Sequence, residues 1–168
     1  MSRAVLSLGS NLGDRLGFLQ RAVDGMRDVL VAVSPVYETA PWGVTDQPEF
    51  LNAVCLVAAE DRDHRDWLPV VQALEQAAGR VRDLRWGPRT LDVDVVTVDD
   101  VRSSDPHLLL PHPGTPDRAS VLIPWLAVEP DAVLPGYGDV ADLLRALPAR
   151  ERDGVRLRPD LTLTSPLG

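Results

Sequence analysis

The run "EFLNAVCLVAAE", residues 49–60, is apolar at nearly every position, with Asn52 the one amide inside it. A strand with one wet face alternates apolar and polar residues, so a nearly unbroken apolar run reads as the central strand of a sheet. Its neighbours come from the flanking segments. "RAVLSLGS" (3–10) reads as a short apolar strand ending in Gly9 and Ser10. "NLGDRLGFLQRAVDGMRDVL" (11–30) spaces Leu16, Leu19, Val23, Met26 and Leu30 along one helical face, with Asn11 and Asp14 as caps at its start. "VAVSPVYETAP" (31–41) reads as an edge strand, because Pro35 cannot donate to a ladder. "DHRDWLPVVQALEQAAGRV" (63–81) is a helix with Leu68, Val71 and Leu74 inward, ending near Gly79, and "TLDVDVVTVDD" (90–100) is a further strand.

Strand, helix, strand, strand, helix, strand is the split βαβ order of a ferredoxin-like sandwich, an α+β fold whose antiparallel sheet carries helices on one face. After residue 100 come a proline-rich connection, "PHLLLPHPGTPDR", and two short helices, "ASVLIPWLAV" and "DVADLLRAL". The final stretch, 150–168, reads as an edge strand or a mobile tail. The 168 residues are expected to form a single domain, with a core at about residues 3–135.

A net charge of −8 argues against a general nucleic-acid or anionic-membrane surface, so an anionic ligand must be held by a local cluster. All 17 basic residues are arginine, which excludes a P-loop or a protein-kinase fold, since each places a lysine on the phosphates. Cys55 reads as a small buried residue. The first residues have too short an apolar run for a signal peptide and no segment approaches a membrane span, so a cytoplasmic protein, monomeric by default, is expected.

The chemistry concentrates in "RWGPRTLDVDVV" (85–96). Asp92 and Asp94 are two positions apart in a strand, so their carboxylates share a face, about 6 to 7 Å apart. They repel unless a cation lies between them; Mg²⁺ with phosphate is one such arrangement, pairing with nearby arginines or a solvated face the others. Arg80, Arg82, Arg85 and Arg89 fall within ten residues of one another, on the loop leading into that strand. A guanidinium forks onto phosphate oxygens, and metal opposite arginine is a recurrent layout for phosphoryl transfer. Trp86 would cover an adenine or anchor the loop. Asn52 suits the edge of a planar heterocycle or a backbone partner, with Phe50 two residues back on the same face.

Together "SLGSNLGDR", "SPVYETAPWGVTDQPEFLNAV", "GRVRDLRWGPRTLDVDVV" and "LPHPGTPDRASVLIPW" resemble the 6-hydroxymethyl-7,8-dihydropterin pyrophosphokinase family of the folate pathway, over roughly residues 3–135. The resemblance implies transfer of pyrophosphate from ATP to the hydroxymethyl oxygen of the pterin, with release of AMP. It implies two Mg²⁺ ions on Asp92 and Asp94, with Asp94 the nearer acceptor for the hydroxyl proton, and Arg80 and Arg89 stabilising the transferring group. Gln72, Glu75, Arg82, Trp86, Arg89, Val95, His112 and Arg118 match positions of the nucleotide site. Thr39, Pro41, Trp42, Phe50, Asn52 and Asp92 match the pterin site. Ser120 stands where the family commonly has a phenylalanine that stacks on the pterin, which implies weaker pterin binding. His107 reads as a surface residue.

Overall fold

The structure, a computed structural model, describes residues 1–40, 48–79 and 90–165. In chain order it runs β1 (Ser2–Ser10), α1 (Arg15–Gly25), β2 (Leu30–Val33), β3 (Tyr37–Thr39), β4 (Phe50–Ala59), α2 (Trp67–Ala77) and β5 (Asp92–Val98). There follow a hairpin of β6 (Ser103–Asp105) and β7 (Leu108–Leu110), then α3 (Ala119–Val128), a second hairpin of β8 (Val133–Leu134) and β9 (Gly138–Asp139), α4 (Val140–Ala146), α5 (Ala149–Asp153) and β10 (Arg156–Leu157).

The apolar run 49–60 is indeed central: β4 pairs with β1 along one side and with both β2 and β3 along the other. β1 pairs in turn with β5, and every pairing in the sheet is antiparallel, as in a ferredoxin-like sandwich. The segment expected as one edge strand is instead two short strands, split at Pro35. Ser34 bridges the break: its N–H donates to the Val54 carbonyl at 2.9 Å and its Oγ accepts from Val54 N–H at 2.9 Å. Nor is β3 an edge, because β10 pairs along its outer side. Leu30, placed on the first helix by periodicity, begins β2; the chain turns at Met26, whose carbonyl accepts from both Val29 and Leu30.

Both faces of the sheet are covered, which accounts for the near-continuous apolar character of β4. Leu6, Leu8, Ala53, Cys55, Val93 and Val95 pack with Leu19 and Val23 of α1, with Met26 just past its end, and with Trp67 and Val71 of α2. Val5, Val54, Leu56 and Val96 face the other way, onto Val121, Leu122 and Trp125 of α3 and Val140 of α4. The sequence pattern placed helices on one face only, yet α3 is apolar enough to bury Trp125 at 1% exposure against the second. The β6–β7 hairpin lies in and just ahead of the stretch expected to be plain connection.

Candidate functional site

The site grows from the register of three strands. Asp92 lies opposite Gly9 of β1, and Gly9 lies opposite Asn52 of β4, so a carboxylate, a bare backbone and a carboxamide form one row across the sheet. The next row, Asp94–Ser7–Val54, continues the same face. Because Val93 and Val95 are buried among α1 and α2, the alternation of the strand turns Asp92 and Asp94 towards the α3 side, half-buried. The shared face expected for the two aspartates is thus what the pleat produces.

Gly9 was not singled out from the sequence, although a glycine inside an apolar strand is a known sign of close approach by something else. A Cβ at this position would lie 3.4 Å from Phe50 Cδ1 and 3.5 Å from Asn52 Oδ1. Its absence leaves bare backbone between Asp92 and Asn52, with the Phe50 ring edge close above it. Asn52 Nδ2 donates to Thr39 Oγ1 at 2.7 Å, which fixes the orientation of the carboxamide. Ser10 Oγ and Thr90 Oγ1, the hydroxyls that flank Gly9 and Asp92 in sequence, are buried without a hydrogen-bond partner among the described residues. Ser10 pairs with Leu51 and so turns to the helix side of the sheet, away from Asp92.

On the far side of β5, the proline-rich segment docks back onto the sheet. The backbone N–H of His112 donates to the Val96 carbonyl at 2.9 Å, and Thr115 Oγ1 donates to the His112 carbonyl at 2.7 Å, so the turn is pinned at both ends. His112 Nε2 then lies 3.6 Å from Asp94 Oδ1, within the range of charge attraction though longer than a hydrogen bond, while Nδ1 lies 3.0 Å from the Pro113 carbonyl. Gly114, at φ 80°, carries no side chain where the Arg118 guanidinium passes; a Cβ would lie 3.4 Å from Nε.

Thr39, Phe50, Asn52, Asp92 and Asp94 therefore share one sheet face, with His112 at its edge and Arg118 immediately ahead of α3. Other expected residues stand elsewhere. Glu75 is buried at 3% exposure beneath β5, where its Oε2 accepts from the backbone N–H of Val93 at 3.0 Å, and Gln72 is exposed one turn earlier on α2. The Val95 side chain is buried in the helix-side core, away from the carboxylates. Pro41, Trp42, Arg80, Arg82, Arg85, Trp86 and Arg89 lie outside the described residues. Ser120 is half-buried in the first turn of α3, and His107 is exposed in the β6–β7 turn.

Two carboxylates on one strand face make a hard-oxygen donor set of the kind Mg²⁺ prefers. Among the described residues no three His, Cys, Asp or Glu side chains converge as a ready-made metal cage. A donor set this sparse suits an ion whose shell is completed by phosphate and water. Cys55 is fully buried, and burial pushes its thiol up to about 12, which removes it from any nucleophilic role.

The family profile described as 7,8-dihydro-6-hydroxymethylpterin-pyrophosphokinase matches residues 5–130. The 2-amino-4-hydroxy-6-hydroxymethyldihydropteridine pyrophosphokinase of Mycobacterium leprae is 50% identical, over 97% of this chain and 92% of its own. That of Mycobacterium tuberculosis is 48% identical, over 98% and 95%. Among solved structures, the HPPK-DHPS protein of Plasmodium falciparum superposes with a TM-score of 0.65 at 12% identity, over 86% of this chain. The chain spans 45% of the length of that longer protein, and the likeness concerns the fold alone. A match that covers the strand row, the carboxylate pair and the His112–Arg118 turn leads to one conclusion: the chain belongs to the 7,8-dihydro-6-hydroxymethylpterin-pyrophosphokinase family.

Proposed function

We propose that the chain transfers the β,γ-pyrophosphoryl group of ATP to the hydroxymethyl oxygen of 6-hydroxymethyl-7,8-dihydropterin, yielding AMP and the pterin diphosphate for folate synthesis. Family membership supports the reaction class. The observation that carries the assignment of parts is the row Asp92–Gly9–Asn52, which sets a heterocycle-reading amide and a carboxylate on either side of a floor of bare backbone. The pterin ring lies on that floor, its edge read by Asn52 and its face against Phe50, with Thr39 orienting the amide and Pro41 and Trp42 adding contacts from the adjoining segment.

The hydroxymethyl group then points along the row towards β5. Its oxygen forms a bond to the β-phosphorus as the bond from that phosphorus to the α,β-bridging oxygen breaks; AMP departs with the bridging oxygen. The hydroxyl proton passes to a carboxylate. Asp94 is the nearer acceptor for that proton, one row on from Asp92 and beside His112. Asp92 and Asp94 would hold two Mg²⁺ ions, whose chemistry is to neutralise phosphate charge and polarise the phosphoryl oxygens. Arg80 and Arg89 stabilise the transferring group, and Arg82, Trp86, His112 and Arg118 hold the nucleotide, with the exposed Gln72 at its margin. The protein is taken to act as a monomer in the cytoplasm.

The test is product analysis. AMP and pterin diphosphate are expected in equal amounts, only when the hydroxymethyl pterin and Mg²⁺ are both present, and chelation stops the reaction. Asp94→Asn is expected to lower the rate by about a hundredfold or more, the usual scale for losing a group that stabilises developing charge. Phosphate release without pterin would instead make the protein a nucleotide hydrolase.

A further inference from the structure

Beneath the floor of the site, on the opposite face of the sheet, Arg15 stands at the first position of α1. Its Nη1 donates to Glu38 Oε2 at 2.7 Å and to the Glu49 carbonyl at 2.9 Å. One acceptor lies on β3 and the other just ahead of β4, and each immediately precedes a residue of the site: Glu38 precedes Thr39, and Glu49 precedes Phe50. Thr39 and Phe50 are cross-strand partners, the last register pair of β3 with β4. Alternation sends Thr39 to the upper face, where it receives Asn52 Nδ2, and Glu38 to the lower face, where it receives Arg15.

Glu38 is buried at 9% exposure and is gripped from a second direction. Arg158 Nη1 donates to its Oε1 at 3.0 Å, and Arg158 N–H donates to the Val36 carbonyl at 2.9 Å. Arg156, on β10, pairs with the Glu49 carboxylate and lies 3.6 Å from Glu38. The C-terminal segment is itself held down: Leu161 and Leu163 pack against the helix-side core, and Gln20 of α1 exchanges two hydrogen bonds with the Thr164 backbone.

We propose that Arg15 is a positioning residue for pterin binding. By tying β3 to β4 below the sheet it sets the Thr39–Phe50 pair, and through Thr39 the Asn52 carboxamide, while the C-terminal strap holds Glu38 in place for it. The inference rests on the pterin reading of this face.

The experiment compares wild type with Arg15→Ala, Arg15→Lys and Arg158→Ala, using Arg145→Ala as a surface control. Steady-state constants for ATP and for the hydroxymethyl pterin are measured separately, and the Asn52 side-chain amide resonance is followed by NMR. For Arg15→Ala the pterin KM rises about tenfold while the ATP KM stays within twofold, and the Asn52 amide signal shifts. Arg15→Lys recovers part of the loss, and Arg158→Ala shows the same selectivity at smaller amplitude. Unchanged pterin KM in both Arg15→Ala and Arg158→Ala overturns the inference. So does a parallel fall in every constant together with the melting temperature, which would make Arg15 a stabilising residue only. A wild type that makes no AMP with the pterin overturns the underlying reading itself, whatever the variants do.

Discussion

At the scale of single residues, what is missing from Gly9 matters as much as what is present at Asp92 and Asn52. The nearest atoms to a Cβ there are at 3.4 Å and beyond, so the backbone and neighbours tolerate alanine without clash. Gly9→Ala is therefore expected to fold, yet to raise the pterin dissociation constant severalfold by raising the floor; fluorescence titration with the pterin measures it. An unchanged constant would move the ring off the β1 floor. Ser120, half-buried in the first turn of α3, tests the opposite face of the ring. If Ser120→Phe restores an aromatic face, pterin affinity rises by about tenfold, the usual worth of a stacked pair; no gain would remove α3 from the pterin site.

At the scale of elements, β5 lies at one end of the sheet order but its outer side is not bare. The Val93 N–H is met by Glu75 from α2, and the Val96 carbonyl by the backbone of His112. These two contacts close the strand that carries both aspartates. Removing the Glu75 acceptor leaves a buried N–H unsatisfied, so Glu75→Ala is expected to cost about 1–3 kcal/mol of unfolding free energy, read by denaturant titration. Glu75→Gln keeps an acceptor oxygen and is expected to lose less. A stable Glu75→Ala protein with a raised ATP KM would return Glu75 to a direct nucleotide role. Periodicity placed α1 and α2 well, because each carries apolar residues at helical spacing, whereas α3 is apolar at nearly every position. It could not show that Leu30 leaves the helix, since a helix face and the first residue of a following strand are equally apolar. Nor could it show the β6–β7 hairpin, whose strands are three residues each and too short to display a period.

At the scale of the whole molecule, the acidic chain stays compact around a few arginine ties. Glu38 joins α1, β3 and the C-terminal segment through Arg15 and Arg158. Burial alone would push its carboxyl up, but the hydrogen bonds and charge of Arg15 and Arg158 outweigh this and hold it below the ordinary carboxylate value. A carboxyl depressed in the folded state contributes stability that is present above its unfolded pKa of about 4.3 and is lost as pH falls through the folded value. Unfolding free energy measured from pH 6 downwards is expected to fall more steeply below about pH 4 for wild type than for Glu38→Gln. Equal slopes would show that the Glu38 tie carries no net stability.

The α+β order of elements, the central position of residues 49–60, the shared face of Asp92 and Asp94 and the family are all legible in the linear chain. Each of these follows from local periodicity, from a two-residue spacing or from a contiguous motif. Only the tertiary structure decided which residues meet across strands: that Gly9 separates Asp92 from Asn52, that His112 returns to Asp94, that Glu75 closes β5 from beneath, and that Arg15 reaches Glu38 and Glu49 together. Register, the docking of a turn and a buried ion pair depend on contacts between residues tens of positions apart. No local pattern records them, because the same glycine, glutamate or arginine would read alike on any strand or helix until its partner is in place.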